Sequence, residues 1–278
     1  MKRSGTTQFA PGRRASALLL GAVVLLSAGL AVGCGGNERE GEAKEDAREE
    51  PVSAPNPNAK PVDPATAGTI SGVIKLDGAP PKMRPINLRS VPSCNQMHAT
   101  PLMTEDVVAG DNGALQNVVV YLKGDFSSYT FPENTEEAKI DQHGCVYIPH
   151  VVAVTTHNPI QIHNSDSATH NSSAATKVNR SWNETQTVGG APVERTFARP
   201  EIGISLKCNL HPWMKVYVSV FDHPYFQVTG KDGSFTLKNV PPGNYTIAAW
   251  QERYGTVEQP VTVTSGGAQN VTLNFKAE

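Results

Sequence analysis

Short runs of β-branched and aromatic residues, parted by turn residues, recur along the chain from Gly68 onward. They cover residues 69–76, 118–122, 145–154, 160–163, 204–207, 216–221, 234–237, 245–250 and 261–264. Several alternate apolar with polar positions, the period of a strand with one buried face. Between them stand Asp77-Gly78, Asn112-Gly113 and Asp232-Gly233, pairs that reach positive φ at little steric cost and so suit tight turns. No window longer than about ten residues keeps a helical period without Gly or Pro. Many short strands separated by turn signals predict an all-β protein built as sandwiches or barrels.

The N-terminus follows another pattern. Residues 1–16 carry Lys2, Arg3, Arg13 and Arg14 with no acid, and an apolar stretch, 17–32, runs up to Gly33-Cys34. A basic segment before an apolar one that ends in small residues is the layout of an export signal. With a small residue before Cys34, it resembles the bacterial lipoprotein signal, which implies a signal peptide over 1–33, a lipidated Cys34, a membrane anchor and a place in the cell envelope. An uncleaved anchor with an incidental cysteine is the alternative. Residues 35–66 have no aromatic residue and many Glu and Pro. Such a segment cannot bury enough apolar area to offset its ordering entropy, so 34–67 is expected to be a disordered tether.

Charge narrows the partners. The chain of 278 residues has 24 Lys plus Arg against 26 Asp plus Glu, a formal net charge of −2. Loss of residues 1–33 removes four positive charges and leaves −6. Binding a polyanion needs a cation for each neutralised phosphate, so nucleic acid is excluded as a partner. The cysteines, Cys34, Cys94, Cys145 and Cys208, are too few for a disulfide-dense scaffold and too scattered for a paired CxxC zinc site.

One loop concentrates chemistry. Cys208, His211 and Met214 stand at spacings of three and three between the strands predicted at Ile204 and Val216. A thioether is a soft ligand seldom given to zinc, whereas a thiolate, imidazoles and a weak thioether suit copper in both its oxidation states. A fourth ligand has to come from elsewhere. His170, in the polar loop after the strand at Ile160, is the best candidate. A buried cysteine is more often an inert small hydrophobe, but a free thiol in an oxidising compartment so close to His and Met argues for ligation.

At these residues the sequence resembles the cupredoxins. The run at 145–154, the strand at Ile160, then His170-Asn171 follow the blue-copper order of strand, strand, Asn-containing loop and first histidine. The Cys208–Met214 loop is similar to the short ligand loop of amicyanin, with Pro212 and Trp213 between His and Met. The resemblance covers about residues 140–223 and implies one type 1 copper held by His170, Cys208, His211 and Met214. Asn171 would brace the two loops. Trp213 would be either a core filler or part of a patch where a redox partner protein docks. A single thiol in the loop argues against a binuclear centre.

Two cysteines are then left, Cys94 and Cys145. They would form a disulfide, as exported proteins favour. The rival is a second metal site, since His98 and His150 each lie within reach of one of them in sequence.

Residues 224–278 resemble the carboxypeptidase regulatory-like, transthyretin-type β-sandwich, with an Asp-Gly turn, a strand, Pro-Gly and a Tyr-led strand. Its usual first strand is missing there, and a good match stands at 68–81. The copper module, 140–223, is therefore expected to be inserted into this sandwich, with 68–139 supplying its first strands and the connection. The functional expectation is a tethered electron carrier of the envelope that exchanges single electrons with redox partner proteins and has no catalysis of its own. Copper capture or delivery without redox turnover, and a surface binding or adhesion module, are the alternatives.

Overall fold

The computed structural model describes residues 56–134 and 136–277. The expected signal peptide, Cys34 and the tether before Asn56 lie outside the described residues. The chain enters through β1 (Lys60–Pro61) and β2 (Gly68–Asp77), passes the short helix α1 (Pro92–Gln96) and returns as β3 (Val119–Lys123). Then come β4 (Tyr129–Thr130), β5 (Ala138–Gln142), β6 (Tyr147–Ile148), β7 (Val151–Thr155), β8 (Ile160–Asn164) and β9 (His170–Ala175). They are followed by β10 (Trp182–Gln186), β11 (Val193–Arg195), β12 (Glu201–Lys207) and β13 (Lys215–Phe221). The last five strands are β14 (Phe226–Val228), β15 (Ser234–Val240), β16 (Gly243–Gln251), β17 (Gly255–Val263) and β18 (Ala268–Lys276).

Apart from the separate β1-β4 pair, these strands build two β-sandwiches, each around its own core. In one, the sheet β14-β3-β16-β17 faces the sheet β15-β2-β18. Alternation decides the inner faces: Ile70, Ile74 and Leu76 of β2, Phe235 and Leu237 of β15, and Val271, Leu273 and Phe275 of β18 all point into one cluster. β2 is the central strand of its sheet, antiparallel to β15 and parallel to β18. The second sandwich packs the sheet β10-β9-β12-β13-β7 over β11-β8-β5-β6. The strand pairing thus threads the second sandwich between β3 and β14 of the first.

A third cluster joins the two. Val119, Tyr121 and Ala248 on the outer face of β3 and β16 meet Val151 and Phe221 of β7 and β13. This explains why the run at Val118 is apolar without alternation: β3 is covered on both faces, by its own core and by the neighbouring sandwich. Gly203, at a bulge in β12, has φ +69, and a Cβ there would lie 2.6 Å from the Trp250 indole. The close approach of the two sandwiches at this point requires glycine.

Three expectations are corrected. The run 145–154 is not one extended strand: Pro149 has no N–H to donate, and the chain changes sheets there, β6 pairing with β5 and β7 with β13. The connection within 68–139 does not belong wholly to the first sandwich, since Leu88 and Cys94 are buried in the core of the second. The tether is ordered from Asn56, because β1 pairs with β4 and the Asn56 amide donates to the Ser127 carbonyl at 3.1 Å. Asp63 fixes the following turn by accepting the Ala65 N–H at 2.9 Å, a local bond that offsets part of the ordering entropy.

Candidate metal centre

Two loops meet at one end of the five-stranded sheet. The loop between β8 and β9 delivers His170 as the first residue of β9, and the loop between β12 and β13 carries Cys208, His211 and Met214. Because β9 pairs with β12 in the register Lys207↔Ser173, the residues just beyond come side by side. The Asn171 N–H accordingly donates to Cys208 Sγ at 3.3 Å. The Cys208–Met214 loop is closed by two backbone bonds, Cys208 N–H to the Met214 carbonyl at 3.1 Å and Met214 N–H to the His211 carbonyl at 2.9 Å.

Asn171 ties the loops together. Its Oδ1 accepts the Asn209 N–H at 3.2 Å, and its Nδ2 donates to the Glu184 carbonyl at 3.0 Å and to Asn183 Oδ1 at 2.6 Å. Below it, the Tyr147 hydroxyl donates to the Asn171 carbonyl at 2.8 Å. Both loops are therefore held by bonds that do not depend on a metal.

The donor atoms converge. His170 Nδ1 and His211 Nδ1 are 3.0 Å apart, and Cys208 Sγ lies 3.6 Å from His211 Nδ1. All three residues are buried, and Met214 is fully buried in the same core. Ligand atoms of His170, Cys208 and His211 all fall within 4.8 Å of one another, which meets the requirement that one ion touch all three. Two further groupings among the described residues share this spacing, but both draw on Cys94 or Cys145, which are joined to each other as a disulfide. The disulfide removes the alternative of a second Cys/His metal site; His98 instead bonds the Gly144 carbonyl at 2.7 Å, and His150 meets Glu252.

The electrostatics favour a thiolate beside the His170 imidazolium. Burial pushes the Cys208 thiol up, but His170 and the backbone N–H groups around the sulfur outweigh it and hold the thiol below its ordinary 9.0. Burial pushes His170 down, but Asp166 and Cys208 outweigh it and lift the imidazole to about 9. Burial and the neighbouring His170 charge both push His211 down.

Asp166 is the residue that sequence reading missed. Its Oδ2 meets His170 Nε2 at 2.8 Å, and its two oxygens accept the N–H groups of Gly144 at 2.6 Å and Cys145 at 2.8 Å. The bond at Nε2 leaves Nδ1 of His170 facing the cluster, the second contact by which metal-binding histidines are oriented. The signal was present as an acid four residues before the histidine in a polar loop. Trp213 is half-buried, its ring 5.3 Å from that of His211 and its Nε1–H donating to the Cys145 carbonyl at 2.9 Å. It also lines a cavity of about 420 Å³, together with Ile86, Leu102, Met103 and Ile148.

Comparison with known proteins places this geometry in context. Residues 212–277 match the carboxypeptidase regulatory-like domain. No curated protein matches the sequence. Among solved structures, the chain is similar to a copper-containing nitrite reductase from Thermus scotoductus SA-01, at 16% identity and TM-score 0.30 over 33% of this chain. That match spans 24% of the nitrite reductase. It is also similar to a purple cupredoxin from Nitrosopumilus maritimus, at 20% identity and TM-score 0.26, covering 30% of this chain and 98% of the other. A copper(I) amicyanin variant gives 16% identity and TM-score 0.28 over 30% of this chain and 80% of its own.

Proposed function

We propose that the chain is a mononuclear copper protein that carries single electrons, tethered to a membrane of the cell envelope through Cys34. The observation that supports this reading is the convergence of two imidazole Nδ1 atoms and one thiol in a buried cluster whose loops are braced without metal. His170, Cys208 and His211 would hold the ion with Met214 as a weak thioether donor, a mixed set that suits both copper states. Bound copper would supply a one-electron couple. The protein's own residues keep water out, hold Nδ1 of His170 toward the metal through Asp166, and stabilise the sulfur through the Asn171 N–H.

The same braces argue for a carrier rather than a catalyst. A site that does not rearrange loses little to reorganisation on electron transfer, and the donors are buried at 0–5% exposure, which argues against open access of a substrate to the metal. Copper capture for delivery is a weaker reading: Met97 packs against the core, and His98 is engaged with a backbone carbonyl. The test is optical. Protein loaded with copper(II) is expected to show intense thiolate-to-copper charge-transfer colour, lost in Cys208→Ser; a colourless copper complex of the native chain overturns the reading. Mass analysis of the protein isolated from membranes tests the tether, which requires a lipidated N-terminal Cys34.

A further inference from the structure

The strand that leaves the ligand loop is gripped by the other sandwich. Lys215, the first residue of β13, follows Met214 directly, and its ammonium donates to Glu252 Oε2 at 2.7 Å and lies 3.3 Å from Asp106 Oδ1. Glu252 stands in the turn between β16 and β17. Its side chain is only 5% exposed, and its other oxygen meets His150 Nε2 at 2.5 Å. His150 precedes β7, and its carbonyl accepts the Tyr217 N–H at 3.0 Å. One buried carboxylate of the regulatory-like sandwich thus reaches both β13, where the ligand loop ends, and the start of β7. A buried charge so placed is costly unless all its partners stay in position, so it defines where Lys215 must be.

We propose that Glu252 is a positioning residue for the metal loop: through Lys215 it fixes the backbone at Met214 and sets the charge balance that the metal experiences. The inference rests on the copper reading above and adds a role for the second sandwich, which becomes part of the electron carrier rather than a passive neighbour. Field from a carboxylate–ammonium pair in a partly buried site is weakly screened. Neutralising the carboxylate removes one of the two acids that face Lys215 and leaves Asp106, a loss of negative charge that favours the copper state of lower charge; neutralising the lysine does the reverse. A merely structural contact would not give opposite signs.

The test uses the full chain loaded with copper and measures the midpoint potential. Glu252→Gln is expected to raise it, Lys215→Met to lower it, and the double variant to return it toward the native value. Glu258→Gln is the control, since Glu258 pairs with exposed Lys123 on the same sandwich and makes the same change in net charge. Equal potentials in Glu252→Gln and Glu258→Gln, or shifts of one sign in both single variants, overturn the proposal. Should Glu252→Gln fail to fold, Lys215→Met decides alone: its potential must fall, and no shift or a rise overturns the proposal. Absence of charge-transfer colour in the native protein sinks the copper reading itself, whereas colour without these shifts sinks only the role of Glu252.

Discussion

The Asp166 carboxylate and the His170 imidazole, four residues apart in one loop, meet at 2.8 Å with both side chains at most 1% exposed. The pair selects the imidazole tautomer and aims its other nitrogen at Cys208 and His211. Outer partners of this kind are typically worth about 10- to 100-fold in metal affinity. Asp166→Asn is therefore expected to weaken metal binding by that order in titrations of metal-free protein with Cu(II) or Co(II). Unchanged affinity would show that His170 is oriented by packing alone.

Much of the fold was legible because alternation and turn pairs are local signals. The strands at Ile160 and Ser234 and the Asp232-Gly233 turn, with Gly233 at φ +68, follow from a few adjacent residues. The loop from Cys208 to Met214 was legible for the same reason, since three donors sit within one hairpin connection. What sequence could not show depends on distant partners. The bonds from Asp166 to Gly144 and Cys145 span about twenty residues, and Glu252 reaches Lys215 and His150 from another sandwich. The break at Pro149 was missed because an apolar run reads alike whether it stays in one sheet or crosses to another. The order of residues 56–67 was missed because composition signals only the absence of a core, and this segment is held by backbone pairing to β4.

The seam between the sandwiches should be sensitive at Gly203. An alanine there would have to adopt φ +69 and place its Cβ 2.6 Å from the Trp250 ring. The left-handed conformation alone costs a non-glycine residue about 1–2 kcal/mol, and the contact adds to it. Gly203→Ala is expected to lower stability by about 2 kcal/mol or more in denaturant titrations. A loss under about 0.5 kcal/mol, the usual range for surface changes, would show that the sandwiches separate there at little cost.

The Cys94–Cys145 disulfide links residues 51 apart and pins α1 against the core that carries the Cys208–Met214 loop. Loop-closure arithmetic gives about 4 kcal/mol for a crosslink of this span. Cys94→Ser combined with Cys145→Ser is expected to lose stability of that order. It should also retain metal less well, because the Cys145 N–H holds Asp166 and its carbonyl holds Trp213. Competition with a chelator checks the second effect; a variant destabilised but equally retentive would separate the crosslink from the site.

Acid should weaken the fold through His223, buried in an aromatic cage. Its ring lies 4.6 Å from that of Phe126, 5.7 Å from Phe221 and 5.8 Å from Tyr225, and its Nδ1 accepts the Tyr225 N–H at 3.1 Å. Burial pushes this imidazole below its ordinary 6.5, against a smaller opposing pull from Asp222. With the folded value depressed, the unfolded chain binds the proton first, so stability is full above about pH 6.5 and is lost as pH falls toward the folded value. The contribution is read as a difference between two proteins. Denaturation midpoints at pH 7.5 and pH 5 should fall further apart for the native chain than for His223→Phe. Equal pH dependence in the two proteins would mean that the cage opens to water before the imidazole charges.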